Sequence, residues 1–215
     1  MSLKRDIEAL VERLAEKYGD GITPRLTEIG DKLLKLASEG LVKSNHSVME
    51  LIVAAFLASK EYKVDVEREL GKSLVCDVYG EKSGESIIVE IETGFVPPSN
   101  ALDPVRYRVA REISKVARYS RYADRFVMAT PPYHLVYVPE FLVAKPDERD
   151  ESDLVSAKKL LDEYYRRPPI SLEELRHAKV DYVYIVYVDE LRVLEYPAQE
   201  YAYRFSFFYD GFFKL

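Results

Sequence analysis

Residues 74–92 read LVCDVYGEKSGESIIVEIE, and this stretch decides the fold. Leu74 to Tyr79 and Ser86 to Glu92 both alternate in the manner of half-buried strands, and Gly80 to Gly84 supplies the turn between them. In the first strand, Val75, Asp77 and Tyr79 share one face while Leu74, Cys76 and Val78 share the other. In the second, Ile88, Glu90 and Glu92 share a face opposite Val89 and Ile91. Folding the strands together about Ser83-Gly84 sets Asp77 beside Glu90 in one of two or three available registers. Carboxylates crowded onto one patch repel one another and resist desolvation, so a fold keeps them by solvating them, by sharing protons or by binding a cation. Hard cations such as Mg²⁺ or Mn²⁺ favour oxygen ligands of this kind.

The pattern extends in both directions from the hairpin. Upstream, Lys63 to Glu67 predicts a strand, and Ser44 to Lys60 predicts a helix whose buried side carries Val48, Leu51, Ile52, Ala55 and Phe56 and which also bears Glu50. Downstream, a helix over Asp103 to Ser120 precedes a strand at Arg125 to Ala129 that stops at Pro131-Pro132. Two helices lead the chain. One spans Leu3 to Tyr18; the other opens near Thr23-Pro24 and stops at Gly40. They form an appendage, a dimerisation arm or a cover for the sheet. Beyond Tyr133 the periodicity weakens. Leu154 to Tyr165 reads as a helix, and so does Ser171 to His177, with Ser171 and Glu174 at capping-box spacing. Val180 to Val188 and Leu191 to Glu195 read as a hairpin, and Tyr201 to Phe213 as an aromatic edge strand or dimer surface. The expected organisation is an N-terminal helical extension over residues 1–43 and an α/β domain over 44–215, a central mixed sheet flanked by helices.

Composition narrows the function classes. The chain has 215 residues, 47% of them hydrophobic, and a net charge of −6, which suits a globular core and argues against coating nucleic acid by bulk charge. A lone Cys76 excludes an internal disulfide and a Cys-based zinc or iron–sulfur cluster, leaving oxygen ligands for any metal. No apolar run reaches the roughly 18 residues of a membrane span, and the first residues lack a signal-peptide block, so a cytoplasmic protein without a membrane partner is expected. Scarce Asn and Gln beside abundant Glu, Lys and Arg resemble hyperthermophile composition and hint at an archaeal, thermophilic source.

The order of a helix with Glu50, a strand with Asp77, a strand with Glu90-Ile91-Glu92, a basic helix and a further strand resembles the PD-(D/E)XK nuclease superfamily, which includes restriction endonucleases and archaeal Holliday-junction resolvases. The resemblance covers about Ser44 to Pro132. It implies a restriction-endonuclease-like sheet and a Mg²⁺- or Mn²⁺-dependent endonuclease acting on DNA, with structure-selective cutting one option and a homodimer the expected assembly. Within it, Asp77 and Glu90 take the positions of the metal ligands, and Glu50 that of a helix glutamate some members add. Glu92 stands where most members carry the lysine thought to activate water, and Cys76 replaces the motif proline. Lys115, on the following helix, is the candidate for the displaced lysine. Around it, Arg108, Arg111 and Arg118 form a basic stripe suited to phosphate contacts.

Plainer readings stand beside these. Glu50 follows Ser47 at capping-box spacing; Glu90 and Glu92 suit the wet face of a strand; the Arg stripe suits a solvated helix face; His46, one turn before Glu50, is placed to contact the site, although a helix-start histidine more often lies at the surface. The missing motif lysine also allows a catalytically inactive nuclease fold that binds nucleic acid or a protein partner, and the aromatic C-terminus allows a structural assembly subunit.

Overall fold

The computed structural model describes residues 3–42, 44–71, 74–205 and 208. Seven α-helices and six strands occur among them: α1 (Leu3–Tyr18), α2 (Thr23–Ser38), α3 (Ser44–Ser59), β1 (Lys63–Gly71), β2 (Leu74–Lys82), β3 (Glu85–Ile91), α4 (Pro104–Tyr119), β4 (Arg125–Thr130), α5 (Glu151–Tyr164), α6 (Leu172–His177), β5 (Tyr182–Tyr187), β6 (Arg192–Pro197) and α7 (Ala198–Phe205). The strands form one mixed sheet in the order β1-β2-β3-β4-β5-β6. The β1–β2, β2–β3 and β5–β6 pairs are antiparallel, whereas β3–β4 and β4–β5 are parallel. This is the α/β architecture expected from the sequence.

Helices cover both faces. On one, Ile7 and Leu14 of α1, Leu26 and Leu33 of α2 and Leu51, Ile52 and Ala55 of α3 join Val64, Val78, Val89, Val127 and Tyr184 in a single apolar cluster. Of the three readings of the leading helices, the cover is therefore the observed arrangement. Polar ties reinforce it: Tyr18 donates its hydroxyl to Leu191 O at 2.9 Å, Arg25 Nε donates to Val64 O at 2.6 Å, and Lys32 reaches Val66 O at 2.5 Å. On the other face, Val109, Ile113 and Val116 of α4 pack with Ile88, Phe126, Met128 and Val183 and with α5 to α7. Residues buried on both sides of β3 and β4 explain why these parallel strands are apolar runs.

Local chemistry accounts for several boundaries. Gly40, at φ 73°, follows the end of α2, the left-handed position glycine fills most easily. The β2–β3 turn is tighter than the Gly80–Gly84 segment expected. Lys82 pairs with Glu85, leaving Ser83 (φ 54°) and Gly84 (φ 84°) as a two-residue loop with the positive dihedrals of the turns that match strand twist. Gly80 lies inside β2, where a Cβ would meet Ile87 Cγ2 at 2.8 Å. Ser171 and Glu174 do form the capping box of α6.

The C-terminal expectation needs correction. Residues 201–205 belong to helix α7 rather than an edge strand, because Tyr201 turns inward and is only 1% exposed, and its hydroxyl oxygen accepts from the Val136 N–H at 3.1 Å. Residues 206, 207 and 209–213 lie outside the described residues.

Candidate metal centre

The sheet opens where the acidic residues begin. The paired register of β2 and β3 ends at Val78 and Val89. One step further, Asp77 N–H donates to Glu90 Oε1 at 3.2 Å and Ile91 N–H donates to Asp77 Oδ2 at 2.6 Å. Side-chain carboxylates thus occupy amides that a continuing ladder would have used. The expected neighbourhood of Asp77 and Glu90 is observed.

A second irregularity lies across the β1–β2 pair. Val66 pairs with Val78 and Arg68 with Cys76, which places Glu67 and Asp77 between them. Glu67 has φ 46°, a left-handed conformation uncommon outside glycine, asparagine and aspartate. There both strands exchange faces. Val66 and Val78 pack under α1 to α3, whereas Leu70, Cys76 and Tyr79 pack with the α4 layer. Strict alternation had set Cys76 with Val78 and Asp77 with Tyr79. The reversal at Glu67 breaks that assignment and turns both acidic side chains toward α3.

Helix α3 supplies the remaining groups. Glu50 is fully buried and His46 lies one turn earlier, with its Nδ1 2.9 Å from Glu50 Oε1 and its Nε2 3.9 Å from Asp77 Oδ2. Since α3 already begins at Ser44, Ser47 lies inside the helix and Glu50 is no capping partner. One ligand atom from each of His46, Glu50, Glu67 and Asp77 lies within 4.8 Å of the others, a constellation that could hold a metal ion. Glu50 Oε2 is buried without a hydrogen-bond donor. Its neighbour Glu67 is another acceptor unless protonated, so the pair needs a shared proton or a cation.

The protonation preferences reflect this crowding. Burial first, then the charges of Glu50 and Asp77, push Glu67 up to about 7. Burial also raises Glu50, with the Asp77 charge adding to it and the His46 hydrogen bond opposing it. Burial works against a charged His46, but the Glu50 hydrogen bond and the Asp77 charge outweigh it and raise that imidazole to about 9.

Beside the cluster stands a lysine-centred group. Lys115 Nζ lies 3.0 Å from Glu90 Oε2, 3.1 Å from Glu92 Oε1 and 3.4 Å from Asp77 Oδ2, and donates to Ile91 O at 2.9 Å. Arg111 Nε donates to Glu92 at 3.0 Å. Burial pushes Glu90 up to about 8, assisted by Asp77 and resisted by Lys115. The four predicted acids and Lys115 are thus brought together, but unequally: Glu90 and Glu92 face Lys115, while Glu50 and Asp77 join His46 and Glu67. With every group ionised, five carboxylates face three cations. The deficit equals the charge of one divalent ion.

The Arg stripe does not form an open track. Arg118 donates to Pro168 O at 3.2 Å and lies 5.1 Å from the Tyr165 ring, and Arg108 Nε is buried without a partner. Arg111 alone of the three lines the cleft above the cluster, a space of about 350 Å³ shared with Leu41, His46, Glu67, Asp77 and Phe95. A buried pair ties α4 to the segment after β4: His134 Nε2 meets Glu112 Oε1 at 3.0 Å, and Tyr137 N–H donates to Glu112 Oε2 at 2.8 Å.

No family model matches the chain, and no curated protein or solved structure does either. The sequence reading missed Glu67 as a site residue and, for His46, preferred a surface position to contact with the site. The i, i+4 spacing of His46 and Glu50 was the available signal for the histidine, whereas nothing in a Val-Asp-Val-Glu-Arg run announces a reversal at Glu67. Among the described residues, no helix is long and apolar enough to cross a membrane.

Proposed function

We propose that the protein is a divalent-metal-dependent phosphodiesterase acting on nucleic acid, with DNA the expected substrate, in the manner of the PD-(D/E)XK nucleases it resembles. One observation carries this reading: the donorless, fully buried Glu50 Oε2 aimed among His46, Glu67 and Asp77, beside a lysine held against Asp77, Glu90 and Glu92. The donor set of one imidazole and three carboxylates fits Mg²⁺ or Mn²⁺, with the nitrogen favouring Mn²⁺. Such an ion, when bound, supplies Lewis acidity and a source of hydroxide at neutral pH.

The chain's own residues supply the rest. His46, Glu50, Glu67 and Asp77 would hold the ion. Glu90 and the Ile91 amide fix Asp77 through backbone-to-side-chain hydrogen bonds. Lys115, the candidate for the displaced motif lysine, carries a proton beside the cluster and compensates its negative charge. Arg111 offers a guanidinium at the cleft for a phosphate oxygen.

A second reading, binding without hydrolysis, is favoured by the four oxygens that surround the Lys115 ammonium. The two separate in one experiment. Wild type and the Asp77→Asn variant are incubated with single-stranded, branched and duplex DNA and with RNA, in Mn²⁺, Mg²⁺ or EDTA. Metal-dependent cutting abolished by Asp77→Asn is the expected result. Equal cutting by both proteins removes the assignment, and metal-independent binding without cutting favours the second reading.

A further inference from the structure

The inference rests on the hydrolytic reading and concerns the substrate that the same cleft accepts. Its mouth is partly apolar. Leu41 and Phe95 line the cleft with Asp77 and Arg111, yet they remain 68% and 52% exposed. Tyr133, 81% exposed, projects from the adjoining loop. That loop is locked to the one carrying Phe95: Gly94, at φ 76°, passes so close to His134 that a Cβ there would lie 2.7 Å from Nδ1. The Glu112 carboxylate then pins His134 from below. Phe95 and Tyr133 therefore lie on two loops that meet at Gly94 and His134, Phe95 at the cleft itself.

A continuous duplex offers phosphates on its outside and hides its base faces, so gripping it takes rows of available cations. The α4 cations do not supply such a row, since Lys115 and Arg118 are engaged within the protein, and the chain carries net charge −6. An unpaired strand offers both a phosphate for Arg111 and naked base faces for aromatic side chains. We propose that Phe95 and Tyr133 stack unpaired nucleobases, with Leu41 packing against them, so that the site takes single-stranded nucleic acid or a single-stranded segment rather than continuous duplex.

The test measures fluorescence anisotropy of a labelled oligothymidylate, an oligouridylate of the same length and a labelled duplex, with Ca²⁺ present to limit cutting. Tighter binding of either single strand than of duplex is expected, the tighter of the two assigning DNA or RNA. Phe95→Ala and Tyr133→Ala should each weaken single-strand binding about tenfold. Tyr203→Ala, which removes an 87% exposed aromatic from α7, should leave it unchanged. Duplex bound as tightly as single strands, or no effect of the Phe95 and Tyr133 changes, overturns the proposal. Mn²⁺-dependent hydrolysis of bis(p-nitrophenyl) phosphate, a diester without nucleobases, reports the chemistry separately. If it fails while Phe95-dependent strand binding persists, hydrolysis is refuted and stacking stands. If it succeeds while duplex is preferred, stacking is refuted and hydrolysis stands.

Discussion

Asp77 and Ile91 are joined side chain to backbone, with the Ile91 amide donating to Asp77 Oδ2 at 2.6 Å. The carboxylate thus has a structural duty as well as a place in the cation cluster. Asp77→Asn keeps an oxygen acceptor and should leave stability nearly unchanged, while Mn²⁺ affinity falls at least about tenfold. Asp77→Ala orphans the amide and should cost about 1–3 kcal/mol in addition. Calorimetric Mn²⁺ titration and urea unfolding check the pair; equal stability loss in both variants would contradict the dual role.

Lys115 compensates three carboxylates in a largely buried setting. Lys115→Met should destabilise the protein by about 3–5 kcal/mol, the usual cost of stranding buried charge. Adding Glu90→Gln should recover part of that loss. Urea denaturation of both variants measures it, and a double variant no better than the single would argue against charge compensation as the cause.

Glu67 stores backbone strain at a candidate ligand position, a combination that trades stability for binding. Glu67→Asn replaces it with a residue that tolerates the left-handed region and removes a charge from the cluster. Metal-free stability should rise by about 1 kcal/mol, while Mn²⁺ affinity falls. Denaturation in EDTA together with metal titration reads both, and a variant that binds Mn²⁺ as well as wild type would exclude Glu67 from the ligand set.

The same crowding predicts an unusual pH response. Glu67 rises from 4.5 to about 7 and His46 from 6.5 to about 9 on folding, so the folded state holds both protons more tightly. Their contribution is fully present below the unfolded values and is lost as pH rises through the folded ones. In EDTA, the Tm should therefore fall by several degrees between pH 5 and 9. Mn²⁺ should reverse most of that fall, because the ion replaces the protons. A melting curve in EDTA that is flat or rising over this range would contradict the cluster's electrostatics.

Gly94 reports on the loop behind the cleft. A Cβ 2.7 Å from His134 Nδ1 at φ 76° leaves alanine both crowded and strained, so Gly94→Ala should cost about 1–3 kcal/mol. Thermal and urea unfolding test this directly. Unchanged stability would mean that the Gly94 and His134 loops separate readily.

The sequence was most legible where one physical signal dominated. Period-3.6 stripes located α1 to α5, and short alternating or apolar runs located the six strands, since each of these elements buries enough apolar surface to show its period. The acidic quartet and Lys115 converge as their order suggested, because Asp77 and Glu90 flank one tight turn at matched distances. Legibility failed at Glu67, where a tertiary constraint overrides alternation without any glycine to mark it. It failed again at residues 201–205, where aromatic density suggested a strand but Tyr201 and Phe205, four apart, pack as a helical pair with ring centroids 4.7 Å apart.

The ties from α2 to β1 have a consequence for assembly. β1 is an outer strand of the sheet, and the carbonyls of Val64 and Val66 are already taken by Arg25 and Lys32. Charged side chains seated on those acceptors blunt the strand as a template for a seventh one. Running two copies' sheets together through β1 would first require breaking these bonds, which disfavours that edge as the seam of a homodimer.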